Sequence, residues 1–169
     1  MTNGLLKLCK GKRIIDVGAG ATTLVQSLLD GEFQVTVLDI SSEALQILSS
    51  RHGDSIDYKL GDLSSQLELG EYDIWHDRAV LHFLLEEEEY QSYVSNLESS
   101  IPVGGFAVIE TFSIDGAEMC CGLKLRRYSE DMLVELLGEN WQLLRSINHV
   151  YTNPSGGDRP YISTDFQRK

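Results

Sequence analysis

A five-residue run, Arg13-Ile-Ile-Asp-Val17, leads straight into Gly18-Ala-Gly20, and a helical pattern begins at Thr22. No other feature of the chain narrows its fold as much. A short β-branched run reads as a buried strand. Glycines after it allow a tight turn and close approach of backbone to a ligand. Leu24, Val25, Leu28 and Leu29 then recur at helical spacing. Thr22 or Thr23 is placed to cap that helix, and Gly31 to end it.

The same punctuation repeats downstream. Residues 33–38 (FQVTVL) predict a second strand closed by Asp39, and Ser41 opens a helix to about residue 51. Residues 56–60 predict a third strand before Gly61-Asp62, and residues 72–75 a fourth before His76-Asp77-Arg78. The acidic run at 86–89 starts a helix to about residue 100, where negative charge complements the helix dipole. Residues 104–112 predict a fifth strand, and 113–126 an irregular loop. A helix over 129–137, capped by Ser129 or Asp131, precedes two strands at 141–150 and 161–166, joined by a turn at 153–157. Strands alternating with helices imply an α/β fold with right-handed crossovers and a parallel sheet. The closing hairpin puts one antiparallel strand into it. Ligand groups then belong at the carboxyl ends of the strands.

Three acids sit there in register with the glycine turn. Asp16 lies two residues before Gly18, Asp39 ends the second strand, and Asp62 follows the third. As isolated residues they are caps and turn formers. As a set they suit a nucleoside carrying a positive group and suit a pyrophosphate badly. The dinucleotide fingerprint GxGxxG has its third glycine where this chain has Thr23, so a nicotinamide oxidoreductase is disfavoured.

Composition bounds the rest. The chain has 169 residues, enough for one domain over residues 1–169 with a short segment, 1–12, before the first strand. Twenty-six acids against 14 bases give a formal charge of −12, which argues against binding nucleic acid or an anionic membrane. Three cysteines, Cys9, Cys120 and Cys121, form no metal-ligand spacing, so no metal is expected. No leader pattern opens the chain, and the apolar stretch at 79–85 is interrupted by His82 and too short to span a bilayer. The expectation is a cytoplasmic protein.

The pattern IIDVGAGAT, VLDIS, GDL and YDIWHD resembles that of class I S-adenosylmethionine-dependent methyltransferases, from about residue 12 to 168. Within that family, the stretch WHDRAVLHFL from Trp75, the stretch between Thr111 and Tyr128, and His149 to Gly156 are similar to a small bacterial-type branch. The resemblance implies a three-layer Rossmann-like fold. Its seven-stranded sheet has the order 3-2-1-4-5-7-6, with strand 7 antiparallel. It implies S-adenosyl-L-methionine as cofactor. Gly18, Ala19 and Gly20 would run under its methionine portion, with Asp16 nearby. Asp39 would accept the ribose hydroxyls, with Ile40 on the adenine. Asp62 would receive the adenine amino group, with Leu63 beside the ring. His76 and Asp77 would face the sulfonium end.

Methyl transfer from a sulfonium is an in-line displacement that needs alignment first and a proton acceptor only when the nucleophile arrives protonated. Candidate acceptors are His82, His76, Asp77 and Tyr128, with Glu110 and His149 behind them. His82 has an equal reading as a packed histidine beside Phe83. Arg78 reads either as an internal ion pair with the adjoining Asp77 that shapes the site or as a holder of a substrate carboxylate. Arg126 and Arg127 read either as holders of an anionic group or as solvated loop charges. Cys120 and Cys121 are expected to pack, Trp75 and Trp141 to sit in the core, and His52 on the surface. No Asn-Pro-Pro-Tyr-type element follows the fourth strand, so base or glutamine methylation is not expected. The acceptor is a small molecule or a protein side chain. Relatives in the branch carry a longer segment before the first strand. Here Leu5, Leu6 and Leu8 offer one turn of helix, so an incomplete lid is expected, with three explanations open: an open pocket that holds the cofactor weakly, a dimer or partner that completes it, or a chain that is a piece of a longer one. The alternative is a non-catalytic subunit that keeps the fold and binds a partner protein.

Overall fold

The computed structural model describes residues 11–152 and 157–169. The expected turn of helix at Leu5, Leu6 and Leu8, Cys9, and most of the turn at 153–157 lie outside them. In chain order the elements are β1 (Arg13–Val17), α1 (Leu24–Asp30), β2 (Gln34–Asp39), α2 (Ser42–His52), β3 (Asp57–Leu60) and β4 (Ile74–Arg78). Then come α3 (Glu87–Ser100), β5 (Phe106–Phe112), β6 (Met119–Cys120), β7 (Leu123–Lys124), α4 (Glu130–Leu137), β8 (Trp141–Thr152) and β9 (Asp158–Arg168).

Seven strands form one sheet in the order β3-β2-β1-β4-β5-β9-β8. Neighbours from β3 to β5 are parallel, and β9 runs antiparallel to both β5 and β8. β6 and β7 pair only with each other, inside the segment expected to be irregular. With that small hairpin set aside, the order is the expected 3-2-1-4-5-7-6 with the seventh strand reversed.

Packing follows from the strand alternation, which sends successive side chains to opposite faces. On one face Ile14, Val35, Val37 and Ile74 meet Val25 and Leu28 of α1 and Leu45 and Leu48 of α2. On the other, Ile15, Val17, Trp75, Ala107 and Ile109 meet Tyr93 and Leu97 of α3 and Leu133 and Leu137 of α4. Trp75 and Trp141 are buried as expected. Ser41 caps α2 by accepting from the Ala44 amide, and Ser129 caps α4 by accepting from the Met132 amide. The Thr23 side chain makes no cap; the Leu24 amide is taken by Thr22 Oγ1 instead. Among the described residues, no helix is long and apolar enough to cross a membrane.

One boundary differs with consequence. The fourth strand starts at Ile74 and runs through Arg78, so His76, Asp77 and Arg78 belong to the strand rather than to a loop after it. Asp77 therefore points to the face opposite His76 and Arg78. The expected Arg78–Asp77 pair does not form. Arg78 is exposed, and Asp77 is fully buried.

Candidate functional site

β1, β2 and β3 deliver the glycine turn and two acids to one edge of the sheet. Gly18 and Gly20 have φ of +60° and +55°, the left-handed region open to glycine at little cost. A Cβ built on Gly18 would lie 2.0 Å from a Val80 methyl, so the turn packs flush against the segment after β4. A Cβ on Gly20 would meet nothing within 4 Å. Asp39 braces the turn from the end of β2. Its Oδ2 accepts from the Gly20 amide at 2.7 Å and its Oδ1 from the Ser41 amide at 2.8 Å. A carboxylate has about four lone-pair sites, so each oxygen keeps capacity for a ligand.

A cleft of about 440 Å³ opens beside this turn, lined by Gly18, Asp39, Ile40, Gly61, Asp62 and Leu63. Its opposite wall is Ala79, Val80, Phe83, Leu84 and Leu123. Three large apolar side chains around the cleft stay in water: Ile40 is 68 % exposed, Leu123 58 % and Phe83 37 %. Isolated, each would be unremarkable; grouped around a concave space they mark a site for a flat apolar body. Asp62 is exposed, with its Oδ1 accepting from the Ser64 amide at 2.9 Å.

The family model described as "Methyltransferase domain" matches residues 14–105, more than half of the chain. The chain belongs to the methyltransferase domain family. No curated protein matches the sequence. Solved structures share the fold of this chain at low identity. TehB from Haemophilus influenzae superposes with a TM-score of 0.78 at 19 % identity, over 98 % of this chain and 60 % of that one. The chain thus spans about three-fifths of TehB. A SAM-dependent methyltransferase from Methanosarcina mazei gives a TM-score of 0.82 at 15 % identity, over 99 % and 98 % of the two chains. The 1,6-didemethyltoxoflavin-N1-methyltransferase of Burkholderia thailandensis, solved with its substrate and S-adenosylhomocysteine, gives 0.75 at 20 %, over 96 % and 73 %.

The chain places its four expected proton acceptors very differently. His76 lines two adjoining spaces: a small one with Asp16, Gly18, Ala19, Thr22 and Arg78, and a wider one across β4, β5, β8 and β9. Its Nδ1 lies 2.6 Å from Asp16 Oδ1, and both side chains are buried. A carboxylate only accepts, so Nδ1 carries the hydrogen and Nε2 is the basic nitrogen. Asp77, by contrast, faces the interior. Its carboxylate accepts from the Val80 amide at 2.9 Å, the Leu81 amide at 3.2 Å and the Tyr93 hydroxyl at 2.8 Å. Burial pushes its carboxyl up to about 6, against the pull of those donors. It is a cap for the turn at Leu81–Phe83, not a group facing the site.

His82 is 1 % exposed, bonded to Thr111 Oγ1 at 3.0 Å and packed on Phe83 and Phe112. Burial pushes its imidazole down to about 4, which keeps the ring neutral. Of its two readings, the packed one holds. Tyr128 is fully buried, its hydroxyl has no partner among the described residues, and burial pushes its phenol well up. Neither residue lines the clefts above. Arg126 is not a solvated charge: its guanidinium lies 3.9 Å from the Tyr90 ring centroid and 5.3 Å from that of Tyr128. Arg127 pairs with Glu118 at 3.0 Å. Cys120 and Cys121 do not pack in a core. Cys120 ends β6 and Cys121 enters the turn of the β6–β7 hairpin, half-buried and exposed respectively, with sulfurs 3.7 Å apart. His52 is half-buried at the end of α2. Among the described residues, no cluster of three or more potential ligands could hold a metal.

Sequence reasoning missed Val80, Phe83, Leu84 and Leu123 as cleft walls. The first three fall within the WHDRAVLHFL stretch, which was the available signal. Leu123 had none, because its place depends on the hairpin.

Proposed function

We propose that this methyltransferase takes its methyl group from S-adenosyl-L-methionine and transfers it to a small molecule or a protein side chain. The observation that carries this reading is the cleft in which the Gly18–Gly20 turn, Asp39 and Asp62 face an apolar wall with its rim exposed. That set fits a nucleoside. Asp39 keeps lone pairs for two ribose hydroxyls, while Ile40 and Leu63 sandwich the adenine and Asp62 accepts from its amino group. The turn passes under the methionine portion, with Ala19 at its centre and Asp16 alongside. The donor supplies a methyl already activated by positive sulfur. The chain's own residues supply position, water exclusion and a proton acceptor, and alignment of this kind contributes roughly 7–11 kcal/mol in favourable cases.

His76 is the residue for the proton. Asp16 holds its ring through Nδ1, Nε2 is the nitrogen left to take the proton, and a strand rather than a loop holds it in place. Asp39→Ala tests the cofactor reading. Losing a charged acceptor should weaken S-adenosylhomocysteine by about 1.5–3 kcal/mol, roughly ten- to a hundredfold, by titration calorimetry. Unchanged affinity in a variant that still melts cooperatively would place the ribose elsewhere.

A further inference from the structure

The half of the sheet that α1 and α2 leave bare carries its own polar constellation. Cross-strand register puts His76 beside Val108, Arg78 beside Glu110, Glu110 beside Ser163, and Tyr161 beside His149, all on one face. A cleft of about 320 Å³ lies over them, lined by Leu24, His76, Arg78, Glu110, Arg145 and His149 among others. Through His76 and Arg78 it meets the small space lined by Asp16, Gly18, Ala19 and Thr22, which is distinct from the donor cleft and shares Gly18 with it.

The charges are not spent evenly. Arg145 is held by Asp165 at 2.8 Å, and the Glu110 carboxylate turns to His149 at 3.7 Å. Among the described residues, no carboxylate lies within ion-pairing distance of exposed Arg78. Arg159 shares the face through its pairing with Tyr151, so three arginines gather here in a chain of formal charge −12. The rings of His149 and Tyr161 are stacked, 6.0 Å apart and 18° from parallel. Burial pushes the Tyr161 phenol up to about 12; Cys120 and Glu110 act in the same sense, and Arg159 and Arg78 pull it back, which puts those groups within electrostatic reach. An unpaired guanidinium beside an aromatic platform and next to a candidate base is a site for a planar carboxylate.

We infer that this cleft binds a small planar organic anion, its carboxylate on Arg78 and its ring against His149, which Tyr161 backs, and that this anion is the methyl acceptor: a protonated heteroatom on its ring forms the new bond to the methyl carbon as the sulfonium S–C bond breaks, S-adenosylhomocysteine leaves, and the heteroatom's proton passes to His76. The second half rests on the donor reading above, because His76 lines both this cleft and the small space that shares Gly18 with the donor cleft. Benzoate and its uncharged isostere benzamide serve as probes, followed through the His76 and His149 imidazole resonances of the full chain. Benzoate should shift both saturably, benzamide should bind at least tenfold more weakly, and Arg78→Gln should weaken benzoate at least tenfold. Benzoate should also bind protein saturated with S-adenosylhomocysteine. Equal binding of the two probes, no saturation by benzoate, or competition between benzoate and S-adenosylhomocysteine overturns the proposal. So does an Arg78→Gln variant that keeps benzoate and loses S-adenosylhomocysteine, since Arg78 would then hold the donor's own carboxylate. The donor reading fails separately if S-adenosylhomocysteine does not bind the wild-type chain while benzoate does.

Discussion

Asp77 and His82 sit five positions apart and respond to acid in opposite directions. The Asp77 carboxyl is pushed up by burial from 3.8 to about 6, so the fold holds its proton more tightly than the unfolded chain does. That contribution is complete below pH 3.8 and is lost as pH rises through about 6. The His82 imidazole is pushed down from 6.5 to about 4, so the fold favours the neutral ring. Its contribution is complete above pH 6.5 and is lost as pH falls toward 4. Each amounts to on the order of 3 kcal/mol, and between pH 4 and 6 the two slopes offset each other. Asp77→Asn removes one slope and exposes the other. Denaturant midpoints should show this variant gaining about 2 kcal/mol over wild type between pH 4.5 and 6; parallel curves would mean Asp77 does not titrate in that range. At this scale the sequence was legible in part. It marked Asp16, Asp39, Asp62 and His76 by their places at strand ends. It could not tell Asp77 from His76, because which of two neighbours faces inward depends on where a strand stops.

Element ends decided most of what was and was not readable. β1 begins and ends where its β-branched run does, Ser41 opens α2 through its side-chain oxygen, and α1 ends at Gly31, although the left-handed residue there is Glu32 with φ of +60°. β4 was misjudged because charged residues are poor strand formers in isolation, and tertiary pairing with β1 and β5 overrides that preference. The β6–β7 hairpin, with two residues in each strand, leaves no periodicity to find. The junction after β4 is the tightest element contact at the site. Ala79 there has φ of +77°, and its amide donates to the Glu110 carbonyl at 2.8 Å, which seats Val80 over Gly18. Gly18→Ala should destabilise by about 1–2 kcal/mol for its left-handed φ and by about 1–3 more for the overlap with Val80. Adding Val80→Ala should recover the overlap and leave the φ cost. A double variant as unstable as the sum of the singles would show that Val80 does not hold the turn.

On the scale of the whole molecule, the acids that argue against a nucleic-acid partner also act on the proposed ligand. The proposed donor carries one net positive charge, from sulfonium and ammonium against a single carboxylate, whereas its demethylated product is neutral. A formal charge of −12 surrounds the cleft with a field that attracts the first and ignores the second at long range. Contacts within the cleft are nearly common to both ligands, so their affinity ratio isolates the field. The screening length falls from ~30 Å at ~0.01 M salt to ~3 Å at ~1 M, which removes the long-range part and leaves direct contacts almost untouched. Titrations of both ligands at low and high salt should therefore show the donor-to-product ratio dropping by about fivefold, on the order of 1 kcal/mol. The sign matters physically: a field of this kind speeds replacement of spent product by fresh donor without any residue touching either. A ratio that does not change with salt would mean the methyl-bearing sulfur is distinguished only by its immediate neighbours, and the acidic surface then serves solubility alone.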